Sequence, residues 1–384
     1  MQGILSYDYI PMPKPHFISF KSPAHRQPLR EKGRGARSNE AGRYEVQSKE
    51  RFEDGWDSLA DDDRAGRKTS VTLETPRTII NKVNSPYVGF DRSINPYRGC
   101  EHGCIYCFAR PTHAYHGLSP GLDFETRLFA KPSAARLLLK ELSASRYRVK
   151  PIMIGTNTDA YQPIEREMRI MRGILNRLSE FNHPVSILTK SNLILRDIDI
   201  LSSMAGRNLT RCMISITTQD RKLARAMEPR CPTPERRFDA IKKLADKGIP
   251  TGIMLGPMIP GLNDSELESI MERAAELGAS YSAYTILRLP LEVSPLFQEW
   301  LDVFAPNRAK RIMNHIRTMN GGRDYDPNWS RGGEITTPFA QLIAQRYRKA
   351  QNRTGLQPRS SRPALDCSQF RVPSKISGQG DLFE

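Results

Sequence analysis

The sequence predicts an α/β fold built on a parallel sheet, as an open doubly wound sheet or as a partial barrel. Two observations carry this. From about residue 85, short runs rich in Ile, Val, Thr and Tyr alternate with amphipathic helical stretches. A tight triplet of cysteines then follows the first of those runs. Either architecture places its ligands at the C-terminal ends of the strands.

The elements follow in order. A first strand is expected around residues 88–97, just ahead of the cysteines. Five more come at PIMIG (151–155), PVSILT (184–189), RCMISIT (211–217), IPTGIMLG (249–256) and SAYTILRL (282–289). Helices are expected between them. Residues 132–143 open on a first-turn Pro132, and 164–180 carry Ile164, Met168, Met171 and Leu175 at helical spacing. A shorter apolar segment covers 193–205. Thr233-Pro234-Glu235 supplies an N-cap, a first-turn proline and an acid for 234–247, which stops at Gly248. Asn263 with Glu266 resembles a capping box for 264–277, closed by Gly278. Past residue 295 two further helices, 296–320 and 337–350, flank a Gly-rich turn.

Composition bounds the function. The 384 residues are long enough for one large domain with appendages. No run approaches the roughly 18 apolar residues of a membrane helix, and the first residues lack a secretory pattern, so the cytoplasm is the expected compartment. The net charge is +16 and is densest at the end, where residues 301–384 hold fourteen basic and seven acidic side chains. Arg308, Lys310, Arg311 and Arg317, then Arg346, Arg348 and Lys349, suit a phosphate-bearing partner such as nucleic acid, or else form a generally solvated basic surface. Residues 21–70, including Asp61, Asp62 and Asp63, have almost nothing apolar to bury and read as disordered; Tyr7, Tyr9 and Phe17 precede them.

Six cysteines in a reducing compartment argue for metal rather than disulfides. Cys100, Cys104 and Cys107 are spaced C-x3-C-x2-C on one short loop, with Tyr106 before the last and Gly99 and Gly103 letting the backbone wrap closely. Three thiolates can hold three irons of a cubane cluster and leave the fourth open. The competing readings are a zinc site completed by His102, His113, Cys212 or Cys231, and a fully ligated electron-transfer cluster. Either would belong to a non-enzymatic metal module that binds nucleic acid through its basic tail.

At Cys100, Cys104, Tyr106 and Cys107 the sequence resembles the radical S-adenosylmethionine (SAM) superfamily. NPYRGCEHGCIYCFAR, GTNTDAYQPIE (155–165), ILTKS (187–191), EPRCPTPERR (228–237) and the GG-x-x-YD-x-x-W run at 321–329 resemble its spore photoproduct lyase-like group. Composition and helical spacing add a disordered N-terminal arm and a helical C-terminal extension, so that the chain divides into an arm (1–80), a core (81–292), a basic helical extension (293–352) and a flexible tail (353–384). The resemblance implies a partial (β/α)6 TIM-type barrel for the core. It also implies a [4Fe–4S] cluster on Cys100, Cys104 and Cys107, and SAM chelated by the open iron. An external one-electron reductant would drive cleavage to a 5′-deoxyadenosyl radical, which takes hydrogen from the substrate.

Candidate cofactor contacts lie at successive strand ends. Tyr106 sits in the cysteine loop. Thr156 and Asn157, with Thr158 and Asp159, suit an α-amino group. Lys190 would pair with the cofactor carboxylate, and Ser215 and Thr217 would reach ribose hydroxyls. Gly252, Met254 and Gly256 offer an apolar surface for adenine, and Arg98 would offset charge on the cluster. One departure matters. The lyases have a hydrogen-returning cysteine at the second strand's end, where this chain has Thr156, whose hydroxyl holds its hydrogen too strongly for that step. This argues against thymine-dimer reversal unless the fold brings Cys212 or Cys231 beside the substrate.

Overall fold

The computed structural model describes residues 33–44, 68–84, 89–327, 337–358 and 361–373. Tyr7, Tyr9, Phe17, Asp61 to Asp63 and Trp329 lie outside the described residues.

Six parallel strands form the wall of the fold: β3 (Arg92–Ile94), β6 (Ile152–Ile154), β7 (Val185–Thr189), β8 (Thr210–Ser215), β9 (Thr251–Met258) and β10 (Tyr281–Ile286). They stand side by side in chain order with no reversal. That order decides between the two expected architectures, because a doubly wound sheet reverses its order at a switch point and this one does not. The wall stays open. At one edge β2 (Ile80–Lys82) pairs antiparallel with β3, and at the other β11 (Gln357–Pro358) pairs parallel with β10. The protein is therefore a partial (β/α)6 barrel, and all six strands are where the sequence places them.

Parallel strands are buried on both faces, which is why these read as near-continuous Ile, Val, Leu and Met runs. β9 is buried at seven of its eight positions. Outside the wall, the helix Ala134–Leu142 packs with Ile170–Glu180, whose Ile170, Met171, Ile174, Leu175 and Leu178 fall on one buried stripe. A second, small sheet, in the order β1 (Ser70–Leu73), β5 (Arg127–Ala130), β4 (Tyr97–Arg98), carries the chain into and out of the cysteine region.

Several expected helices are broken, each for a local reason. Residues 164–180 split at Arg169, which takes a left-handed φ of 50°. The Glu165 carboxylate then accepts from the N–H groups of Ile170 and Met171, 3.1 Å each, and so caps the second piece. Residues 293–319 split at Ala305, because Pro306 disfavours a helical residue before it and suits the first turn of the next helix. Asn263 and Glu266 do not form a capping box. Asn263 donates to the carbonyls of Thr217 and Pro257, while Glu266 accepts from Thr218 and from Gln219 N, so both tie the β8 and β9 ends together.

The described parts of the arm and tail dock on the core. Within the arm, residues 34–39 dock on the cysteine region through Glu125 and Asp123. Within the tail, Phe370 packs against Tyr147, Phe181 and His183, and Arg371 N donates to Phe181 O at 3.1 Å. Residues 361–373 thus cover the segments that lead into β6 and β7.

Candidate active site

The cysteines sit on a loop held by its own backbone and by one buried arginine. Gly103 N donates to Cys100 O and Cys107 N to Cys104 O, 3.2 Å each, and Cys100 N donates to Phe124 O at 2.9 Å. Gly99 and Gly103 have φ of 71° and 65°, which other residues rarely adopt. A Cβ on Gly99 would also lie 2.9 Å from Phe124 O, so no side chain fits there. Arg110, completely buried, donates to the carbonyls of Gly103 (3.3 Å) and Cys104 (3.0 Å) and pairs with the equally buried Glu125. Glu125 accepts in turn from Gly35 N and Ala36 N at 2.9 and 2.8 Å, fastening the arm to the loop.

The donor set suits a cluster better than a single ion. Burial pushes the Cys100 thiol up, and the neighbouring Asp159, Cys104 and Cys107 push it further. Burial and then Cys104 raise Cys107 to about 11. Three thiols close enough to repel one another's charge are what several bound irons would neutralise, and cysteine sulfur is the usual ligand of such clusters. Among the described residues no group of three His, Cys, Asp or Glu side chains is arranged to hold one ion. His113, one of the residues that could complete a zinc site, is buried, packed edge-on against Phe124 and bound to Arg127 O at 2.9 Å. His102 is also buried, with Nδ1 3.4 Å from Asp159 Oδ2.

Facing the loop, the ends of β7, β8 and β9 bring four of the sequence candidates together. Lys190 Nζ donates to Ser215 Oγ at 3.0 Å and lies 5.8 Å from the Tyr106 ring centre. Thr217 Oγ1 lies 3.2 Å from the Tyr106 hydroxyl and 3.0 Å from Gly256 O. Sequence reasoning missed the group that organises them. Glu228, buried, accepts from Tyr106, from Thr217 at 2.7 Å and from the buried Arg237. Burial alone would raise its carboxyl, but Arg237 and Lys190 hold it down to about 2. Burial likewise works against the Lys190 charge, and Glu228, Cys104 and Cys231 more than offset it, so Lys190 stays a cation. Glu228 and Arg237 both belong to the EPRCPTPERR run, but nothing in the spacing marks them as partners.

Thr156 and Asn157 stand at the neighbouring β6 end, and Asn157 N donates to Asn95 Oδ1 at 3.3 Å. Asp159 links that end to the next one. It accepts from Thr189 at 2.6 Å and from Lys190 N at 2.8 Å. Two expectations fail. Arg98 points to solvent and pairs with Glu74 at 3.0 Å, so Arg110 is the cation under the loop. Gly252 lies at the start of β9, beneath the Tyr281 ring, too far down the strand to line the mouth. Cys212 is also sealed in the core low on β8, whereas Cys231 Sγ lies 3.9 Å from Cys104 Sγ.

Residues 94–274, from the end of β3 to the helix before β10, match the family model of the Radical SAM superfamily. The chain belongs to this superfamily. It is a radical SAM enzyme, which sets aside the non-enzymatic metal module. The superfamily implies a [4Fe–4S] cluster and SAM, and the cysteine loop suits that cluster. An uncharacterized protein of Mycobacterium tuberculosis is 34% identical over 244 residues, covering 63% of this chain and 72% of the relative. One from Methanocaldococcus jannaschii is 31% identical over 61% of this chain and 83% of its own. Among solved structures, a spore photoproduct lyase complexed with dinucleoside spore photoproduct superposes with a TM-score of 0.55 at 14% identity, over 81% of this chain and 87% of that one. A doubly substituted mutant of a spore photoproduct lyase, with bound AdoMet and dinucleoside spore photoproduct, gives 0.54 over the same shares of the two chains. At this identity the likeness concerns the radical SAM fold alone. No helix among the described residues is long and apolar enough to cross a membrane.

Proposed function

We propose that this radical SAM enzyme holds its cluster on Cys100, Cys104 and Cys107, binds SAM against Lys190, Ser215, Thr217 and the β6 end, and acts on nucleic acid. The observation that carries the cofactor reading is the half-buried cation Lys190, at the end of β7 beside Ser215 of β8 and opposite the cysteine loop. With the cluster and SAM bound, the pair supplies a 5′-deoxyadenosyl radical that takes hydrogen from a substrate.

The chain's own residues bind and orient. Lys190 pairs with a carboxylate, and Thr156 and Asn157 accept from the neighbouring amino group. Ser215, beside Lys190, and Thr217, beside Tyr106, would exchange their present partners for ribose hydroxyls. Tyr106, fixed by Glu228, walls the site and keeps water from the reacting atoms. Removing the Lys190 charge, by Lys190→Met, is expected to weaken SAM binding about 10- to 100-fold, the loss of one charge-assisted contact. The reduced cluster's electron-spin spectrum, titrated with SAM, reads this directly. Unchanged affinity would remove Lys190 from the site.

Nucleic acid is favoured by the helix Pro306–Met319. Its Ala309, Ile312 and Ile316 pack in the cluster that contains Ile105, Tyr106, Ile259 and Leu287, beside the mouth. Its other face bears the exposed Arg308, Lys310 and Arg311, and the helix has no acidic residue. A shallow, open surface runs along Lys310, Arg311, Asn314 and His315. Arg317 and Arg346 are spent on Asp324 and Glu268 instead. A solved structure of the same fold holds a dinucleoside photoproduct, so the architecture admits such a ligand. Binding to DNA or RNA should weaken steeply with salt, and Lys310→Ala with Arg311→Ala should reduce the log–log slope by about 2. Lys242→Ala with Lys243→Ala, where both cations are paired on the helix Pro234–Asp246, should leave it unchanged. Equal slopes for both pairs would remove this helix from the interface.

A further inference from the structure

Cys231 has no part in the site as described, yet it is the thiol set beside a cluster ligand. Its sulfur lies 3.9 Å from that of Cys104. The two segments are braced on each side of this contact, since Ile105 N donates to Met227 O at 3.0 Å and Arg230 N to His102 O at 3.3 Å. The turn at Cys231 is held by Cys231 N donating to Glu228 O, and by Arg237 Nε donating to Pro232 O. Both segments are thus locked in register by the same buried residues that shape the site. A disulfide needs its sulfurs about 2 Å apart, a closure that side-chain rotation can supply where backbones are already adjacent. Cys104 is 8% exposed and Cys231 is half-buried.

We propose that Cys104 and Cys231 form an oxidation site that closes as a disulfide when the cluster is absent, withholding Cys104 from iron until the pair is reduced. This rests on Cys104 being a cluster ligand. The oxidant is a peroxide. One of the two sulfurs, here that of Cys231, attacks one peroxide oxygen, the O–O bond breaks, and a sulfenic acid and one water result. The Cys104 sulfur then displaces the sulfenic oxygen, the S–S bond forms, and the second water leaves. Two thiols are oxidised by two electrons and one peroxide is reduced to two waters. With Cys104 bound to iron, the second step has no free thiol, so closure reports cluster loss. It also stops Cys104 from proceeding to the irreversible sulfinic acid.

The test uses the full chain, stripped of iron anaerobically, exposed briefly to hydrogen peroxide, then digested without reductant and mapped by mass spectrometry. The expected result is a peptide linking Cys104 to Cys231, loss of iron and sulfide uptake, and recovery of uptake on adding dithiothreitol. Cys231→Ser, while reduced, should take up iron as the wild type does; after peroxide its Cys104 should gain two oxygens and uptake should not recover. Linkage of Cys104 to Cys100 or Cys107, or no linkage, in a wild-type chain that loads iron normally would overturn the inference and leave the cluster assignment standing. Linkage that leaves iron uptake intact would overturn the withholding, and the iron content of Cys104→Ala would show whether the cluster assignment falls with it. A reduced Cys231→Ser chain unable to take up iron would overturn the inference by making Cys231 a ligand.

Discussion

Replacing Cys100, Cys104 or Cys107 by alanine is expected to abolish the cluster, and with it all SAM cleavage, while leaving the fold intact. The loop does not depend on its sulfurs for shape. It is held by backbone hydrogen bonds, by Arg110 on the carbonyls of Gly103 and Cys104, and by the Arg110–Glu125 pair, all of which survive loss of a thiol. A cubane lacking one protein ligand has two open irons and is not retained. Iron and sulfide analysis after anaerobic reconstitution should therefore fall from about four irons per chain to near none. Circular dichroism should match the wild type. Cys212→Ala and Cys367→Ala, whose thiols lie away from the loop, should keep full iron. A Cys104→Ala protein that retains its iron would remove this cysteine from the cluster.

Glu228→Gln is the second large effect, and it falls on stability as well as on the site. Arg237 is buried and its guanidinium is matched by Glu228. Taking the carboxylate away leaves an uncompensated buried cation, which costs about 3–5 kcal/mol. The remaining amide oxygen can go on accepting from Tyr106 and Thr217 only with the new NH2 turned onto the Arg237 guanidinium, donor against donor, so the site cannot keep all three contacts. The pH dependence has a definite sign. Glu228 is held at about 2 in the folded chain against 4.5 for an unperturbed group. A carboxyl lowered on folding stabilises fully above the unfolded value and stops doing so as pH falls through the folded one. The stability gap between wild type and Glu228→Gln, from denaturant midpoints, should be constant near neutral pH and narrow from about 4.5 towards about 2. A gap that widens on acidification would contradict the pairing.

The strands and the cluster loop were legible in the sequence because both are local signals. A parallel strand buried on two faces must be apolar along its length, and the three cysteines fall within eight residues of one loop. Lys190, Ser215 and Thr217 were legible for a related reason, since each stands at a strand end that the strand positions themselves predict. What escaped was set by contacts distant in sequence. Arg169 breaks a helix because Glu165 turns back to cap the next piece. Arg110 and Glu125, fifteen residues apart, meet only because the loop folds over them, and Arg98 was the better cation by position alone. The docking of residues 34–39 and 361–373 was hidden by their polar composition. Their anchors are backbone N–H groups on Glu125 and a single Phe370, neither of which gives a periodic pattern.

The most direct test of the central claim is the fate of SAM itself. The chain is reconstituted anaerobically with iron and sulfide, reduced with dithionite and mixed with SAM, and 5′-deoxyadenosine is measured. The structure predicts product from the wild type and none from Cys104→Ala. A fully loaded wild-type cluster that yields no 5′-deoxyadenosine would contradict it.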